Sequence, residues 1–344
     1  LLATFWWATL MPRRARAKLA SSRRRAGAQP TGETPPFEDF PSPAALSASP
    51  SCKSTAAGGA DRVPSIVHQI WLGGLTLKWV QLLSLMSVHY LWRPAQHLLH
   101  FDREPRSNGG GLEWRCACAF ARCVPATVRQ TIFGQPIEHR AHTADLLRID
   151  LLEAHGGVYA DLDAYALAPL DSWRRCDAPM VLGLDTAMAK LNNGVMLAAK
   201  SAAFLRLWRE SYREYRPAQW DWNSCNRSTA LARAHPQLAA MAAELGPLPR
   251  YRRPAHYARH VPLAAPPGAP PGAATGSSPP VAHLTGFARP WRFHDVMKPR
   301  LLARIAQRVL DAARQNVSAS TALQRACLAK VEGACWARMI RSSC

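Results

Sequence analysis

Asp161 and Asp163, two residues apart, are the side chains of this chain best suited to chemistry. They close the alternating run Val158-Tyr-Ala-Asp-Leu-Asp-Ala-Tyr, which reads as a strand. Val158, Ala160 and Leu162 then share one side of it, and Tyr159, Asp161 and Asp163 the other. Two carboxylates on one side of a strand end repel each other and call for a cation. Hard divalent ions such as Mn2+ or Mg2+ take oxygen ligands, keep open positions and bridge to phosphates. The pair is therefore a candidate metal-diphosphate site. An isolated Asp-x-Asp equally suits an exposed strand end with two solvated acids. Here Asp145 and Arg148 precede it, three apart and so neighbours on one helix face, and the turn glycines Gly156-Gly157 lie between.

These residues must be held by regular elements. Residues 142–155 are rich in helix formers and stop at the glycine pair, a natural helix end. Leu147, Leu151 and Ala154 mark a face for packing, separate from Asp145 and Arg148. Residues 63–72 form a β-branched run closed by Gly73-Gly74, read as a first buried strand. A helix is expected at 82–91, strands at 97–101, 180–184 and 194–198, and a helix at 202–215. Asn108-Gly-Gly-Gly reads as a loop. Strands alternating with helices predict an α/β fold with a mixed Rossmann-like sheet flanked by helices. Residues 301–313 carry Leu301, Leu302, Ile305, Val309 and Ala312 at helical spacing, a helix expected to pack on the domain.

The segment 142–171 resembles the sugar-binding region of DXD-containing glycosyltransferases of family 32. Their pattern is an (S/A)D-x-x-R helix, GG-x-Y-x-D-x-D, then Pro-Leu. This chain supplies Ala144-Asp145, Arg148, Gly156-Gly157, Tyr159, Asp161, Asp163 and Pro169-Leu170. The strand at 63–73 and the segment Asn192-Asn-Gly-Val-Met are similar to the family's first strand and later Asn-Gly element. The resemblance implies a GT-A type domain that binds a nucleotide-diphospho-sugar. Asp161 and Asp163 would hold Mn2+ (or Mg2+) on the donor diphosphate, Asp145 and Arg148 would contact the donor sugar, and Trp71 would lie near the nucleobase. Asn193 is favoured as a site residue by its place in the family pattern.

Farther on, His283-Leu-Thr-Gly-Phe-Ala-Arg289-Pro-Trp291 resembles the HxxGxxKPW element of glycogenin-like family 8 enzymes, with Arg for the usual Lys. That resemblance makes His283 a third metal ligand and sends Arg289 to the diphosphate, which a guanidinium binds with fork rather than point geometry. It also implies transfer of a hexose from a UDP- or GDP-sugar to a glycan, glycolipid or glycoprotein hydroxyl, with retention of configuration. Asp185, at the end of its strand, is either an acceptor-side acid or a loop acid. Tyr159 is expected to pack near the Asp pair, and Trp220-Asp-Trp-Asn to pack into the core rather than stack on an acceptor sugar.

The charge is +20, from 43 Lys and Arg against 23 Asp and Glu. Arg13, Arg14, Arg16, Lys18, Arg23, Arg24 and Arg25 hold seven of these charges, and no acid precedes Glu33. A competing reading is a nucleic-acid-binding protein acting through that arm, but it lacks interleaved aromatic residues, and no nucleic-acid partner is expected. An inactive sugar-binding relative is the other alternative. Residues 1–62 read as a disordered arm or stem, 63–300 as the catalytic domain with a Pro-rich insertion at 261–280, and 301–344 as a helical tail. Residues 1–11 are apolar yet too short to span a bilayer, and suggest the end of a truncated anchor. Together with the sequons at Asn226 and Asn316 they give the expectation of a Golgi or secretory lumen, membrane association, and some paired cysteines.

Overall fold

The computed structural model describes residues 61–105, 111–186, 188–247, 280–284, 297–316 and 320–341. The Arg-rich arm, the Asn108 loop, nearly all of the 261–280 insertion, and Arg289 with Pro290-Trp291 lie outside the described residues.

In chain order the strands and helices that matter are β1 (Ile66–Trp71), α1 (Trp79–Ser87), β2 (Gln96–Phe101), α2 (Gly111–Phe120) and β3 (Arg122–Pro125). A small hairpin, β4 (Thr131–Ile132) and β5 (Gln135–Pro136), leads into α3 (Arg140–His155). Next come β6 (Gly157–Ala160), β7 (Ala164–Ala166), β8 (Met180–Asp185), β9 (Lys190–Ala198), α4 (Ala203–Glu210), α5 (Arg227–Ala234) and β10 (Ala240–Ala242). Last are β11 (Val281–His283), α6 (Met297–Arg314) and α7 (Ala322–Arg341).

Seven strands form one sheet in the order β10-β8-β9-β6-β1-β2-β3. The β6-β1-β2-β3 pairs are parallel, and β9 runs antiparallel to both of its neighbours. The α/β class with a mixed sheet flanked by helices is thus observed. Helices α3 and α4 cover one face through Leu146, Ile149, Leu152, Phe204, Leu205 and Trp208, which meet Ile70, Leu182 and Met196 of the sheet. Each such buried aliphatic side chain is worth roughly 1.5–3 kcal/mol. A second cluster joins α1, α2, α6 and α7, through Leu82, Met86, Phe120, Leu302, Ile305, Val309 and Val331. The helix expected at 301–313 does pack inward.

Two local expectations change. Helix α3 buries Asp145 and Arg148 on the same side as Leu146, Ile149 and Leu152, while Ala154 is exposed. Charge and packing share one face because the charges neutralise each other inside. The strand ends at Ala160 rather than running through Asp163. The Ala164 amide bonds back to the Asp161 carbonyl (2.9 Å), turning the chain so that β7 leaves the main sheet. The turn before β6 requires glycine: Gly157 has φ +104°, and a Cβ there would meet the Ile66 carbonyl oxygen at 2.5 Å.

Cys116 pairs with Cys327 across a separation of 211 residues, and Cys118 pairs with Cys123. Closing so long a loop restricts the unfolded chain strongly. Replacing Cys116 and Cys327 together by Ala should therefore lower unfolding stability by about 2–5 kcal/mol, with the loss read by urea denaturation.

Histidines lie under the sheet. The Gly156 carbonyl can only accept, so His68 Nε2 donates to it (3.1 Å) and His68 Nδ1 accepts from His100 Nε2 (3.0 Å). Burial, only partly offset by the Gly156 carbonyl, lowers the His68 pKa to about 4. Burial and the neighbouring His68 lower that of His100 to about 3. Both rings titrate near 6.5 when unfolded. Their stabilising contribution is thus complete above about pH 6.5 and is lost as pH falls toward 4 and below. Between pH 7 and pH 5 stability should drop by on the order of 1–2 kcal/mol per ring. Urea melts of the protein and of a His100→Phe variant at both pH values test this; an equal drop in the two proteins would contradict it.

Candidate active site

Three elements converge where β6 ends. The turn after β6 carries Asp161 and Asp163. Antiparallel pairing of β11 with β7 sets His283 opposite Ala164, immediately beyond Asp163. The Leu284 amide donates to the Asp163 carbonyl (2.9 Å) and the Asp161 amide to the Gly194 carbonyl of β9 (2.7 Å). His283 Nε2 therefore stands 3.3 Å from Asp163 Oδ1 and 3.9 Å from Asp161 Oδ2. One atom from each of the three residues lies within 4.8 Å of the others.

Arg148 approaches from α3. It is buried, 3.3 Å from Asp145 Oδ1 and 3.3 Å from Asp161 Oδ1, and donates to the Asn193 carbonyl (2.7 Å). The Asn193 side-chain amide in turn donates to Asp145 Oδ1 (2.7 Å). Tyr159 donates its hydroxyl proton to Asp161 Oδ1 (2.6 Å), and its ring lies 4.4 Å from the Arg148 guanidinium carbon. Asp145, Arg148, Asn193, Asp161, Asp163 and His283 thus form one connected group. Trp71 is half-buried at the end of β1, and its indole donates to the Leu75 carbonyl (2.7 Å). Asp185 ends β8 and accepts from the Met188 amide (3.1 Å), as a turn acid does.

Burial pushes the Asp161 carboxyl above its ordinary range, and Asp163 adds to this against the pull of Arg148. Burial also opposes charge on His283, but the hydrogen bond to Asp163 and the charge of both aspartates outweigh it, so its pKa is raised. Asp161 and His283 are thus both shifted toward their protonated forms. The donor set, two carboxylates and one imidazole, suits Mn2+ or Mg2+, the imidazole favouring the former. Space fits as well. A Cβ on Gly194 would lie 2.1 Å from His283 Cε1 and 2.8 Å from Asp161 Oδ2, so only glycine leaves this group room. His283 Nε2 is the ring nitrogen that faces both aspartates, while among the described residues its buried Nδ1 has no hydrogen-bond partner.

Residues 129–178 match the family model described as "Glycosyltransferase sugar-binding region containing DXD motif". That stretch holds Asp145, Arg148, Asp161 and Asp163. The Asp-x-Asp stands just beyond β6, a central strand of the mixed sheet. The chain is similar to Glucan organizing enzyme 1 of Cryptococcus neoformans, 25% identical over 191 residues, 51% of this chain and 50% of that protein. The chain therefore spans about half the length of the curated relative it matches. Among solved structures it is similar to the galactosyltransferase LgtC (14% identity, TM-score 0.42, 72% of this chain and 95% of that one). It is also similar to the glycosyltransferase GlyE of Streptococcus pneumoniae TIGR4 (10% identity, TM-score 0.43, 74% and 64%).

Sequence reasoning underrated three features of the sugar-binding region and its surroundings. Tyr159 orients Asp161, as its shared side in the alternation with Asp161 signalled. Gly194 supplies clearance, for which Asn-Asn-Gly alone gave no warning. Trp220, expected in the core, is exposed. The sequon at Asn226 is also poorly placed, since Ser228 is wholly buried and donates to the Ser224 carbonyl (2.8 Å).

Gly194→Ala should cost about 1–3 kcal/mol from forced movement of His283 or Asp161. It should also weaken Mn2+ binding, measured by titration calorimetry, at least tenfold, a change of about 1.4 kcal/mol. Unchanged Mn2+ affinity would remove the cluster from consideration as a cation site.

Proposed function

We propose that this chain is a metal-dependent glycosyltransferase that moves a hexose from a UDP- or GDP-sugar to a hydroxyl of a glycan, glycolipid or glycoprotein, with retention. A secretory, Golgi-type lumen suits its disulfides; among the described residues no helix is long and apolar enough to cross a membrane. The observation that carries the reading is the convergence of Asp161, Asp163 and His283 beside the Arg148–Asp145–Asn193 group.

Asp161, Asp163 and His283 would hold Mn2+ or Mg2+, which supplies charge neutralisation for a diphosphate leaving group. The protein's own groups divide the remaining work. Arg148 is matched by Asp145 and Asp161, so it acts chiefly by fixing those carboxylates and the Asn193 carbonyl rather than as a free cation. Asp145 keeps acceptor capacity beyond its two contacts, suited to a hydroxyl of the donor sugar. Tyr159 holds Asp161 in one orientation through the hydrogen bond it donates to Asp161 Oδ1. In the retaining route the bond from the anomeric carbon to the diphosphate oxygen breaks as the bond to the acceptor oxygen forms on the same face. The acceptor proton passes to the departing diphosphate, so no strong protein base is required. Arg289 is assigned to the diphosphate on sequence resemblance.

An inactive relative would have no need to keep three ligands and their orienting partners together. Purified protein screened against UDP- and GDP-hexoses with Mn2+ should release the nucleotide diphosphate. Asp161→Asn and Asp163→Asn should each lower transfer at least about a hundredfold while the circular dichroism spectrum is retained. Full transfer by either variant would sink the assignment.

A further inference from the structure

Trp220 is 64% exposed, a large indole surface in an exposed stretch that also holds Ala218 and Gln219. It is not loosely held. Its carbonyl accepts from His142 Nε2 (3.0 Å), and His142 Nδ1 accepts from the Tyr215 hydroxyl (2.8 Å). The indole ring leans on His139 and His142, with ring centres 5.8 and 5.6 Å away. His139 is fixed in turn by the Pro217 carbonyl (3.2 Å). The next residue, Asp221, is ion-paired with Lys190.

These anchors locate the ring. His139 and His142 belong to the start of α3, whose next turn presents Asp145 and Arg148. Lys190 is the first residue of β9, which delivers Asn193 and Gly194. Because α3 runs back against the parallel strand β6 that follows it, and β9 is antiparallel to β6, both of these starts lie at the edge where β6 ends and Asp161 begins. The exposed indole is therefore tied to the two elements that carry the Asp145–Asn193 contact, on the same edge of the sheet as the carboxylate pair.

We propose that Trp220 is an acceptor subsite: a platform on which the apolar face of an acceptor pyranose stacks, with the half-buried His139 and Asp221 flanking it as hydrogen-bond partners for ring hydroxyls. This rests on the transferase reading above. An indole presents a flat, apolar surface with a polar rim, which matches the C–H face and equatorial hydroxyls of a hexose. The donor's sugar is assigned to the buried Asp145–Arg148–Asn193 group, whereas the indole is open to solvent and admits a large glycan. Its anchoring pre-organises the surface, so little ordering is lost on binding.

The test uses the full chain and two probes, octyl α-mannoside and octyl β-galactoside, with binding followed by saturation-transfer NMR in the presence of Mn2+ and nucleoside diphosphate. The wild type should bind at least one probe saturably. Trp220→Ala should weaken that binding about tenfold, the scale of losing one stacked ring, and Trp220→Phe should retain most of it. Donor hydrolysis to water, measured in parallel, should be unchanged in Trp220→Ala. Equal binding by wild type and Trp220→Ala, no saturable binding of either probe by the wild type, or a raised donor KM in the variant would each overturn the subsite. Absence of donor hydrolysis by the wild type, with probe binding still dependent on Trp220, would instead overturn the transferase reading and leave a sugar-binding surface.

Discussion

A guanidinium buried against a sheet obliges the fold to bring oxygen atoms to it, and Arg148 is where this structure meets that demand. Left unpaired, such a charge would cost several kcal/mol. It is met by Asp145 on its own helix, Asp161 beyond β6 and the Asn193 carbonyl on β9. Each partner comes from a different element, so satisfying one charge fixes the relative positions of a helix and two strands. Burial of the helix's apolar residues on the same face then locks the arrangement.

That constraint also shapes the carboxylate pair. Arg148 and the Tyr159 hydroxyl favour the Asp161 anion against the effect of burial. Asp163 receives no such support from α3 and leans toward His283 instead. The two acids consequently face different cations: one organic and permanent, the other an imidazole whose proton can leave.

Behind the pair, a run of buried polar contacts supports β7. The Gln69 amide is bonded to both His97 and Ser84, and Ser84 donates to the Ala164 carbonyl (2.6 Å). Ser87 accepts from the Ala166 amide (2.9 Å). Among the described residues strand β7 has only β11 as a sheet partner, and these side chains serve backbone groups of β7 that lack a second ladder. Helices α6 and α7 close the same side, joined to α2 by the Cys116–Cys327 disulfide.

Much of the site was legible in local spacing. Asp145 and Arg148 fall three apart on a helix, the glycine pair marks its end, and the acids follow at once; all of this depends on neighbours within about twenty residues. The α/β alternation was readable for the same reason, because hydrophobic period and turn residues are local signals. The alternation argument failed at Asp161, since a strand pattern carries no record of where its hydrogen-bond partner stops. The expectation that Trp220 packs into the core rested on residue type alone, and whether an indole is covered depends on distant chain.

What the sequence by itself determined is therefore the chemistry: which acids, which cation and which turn glycines stand together along the chain. What only the tertiary structure decided is the geometry by which His283, joined to the pair in the sequence by resemblance alone, reaches it from more than a hundred residues on, through the pairing of β11 with β7, and the clearance that Gly194 leaves between them. Strand pairing and close approach are contacts between segments far apart in the chain. No local periodicity encodes them, because they are selected by the packing of the whole sheet and its covering helices.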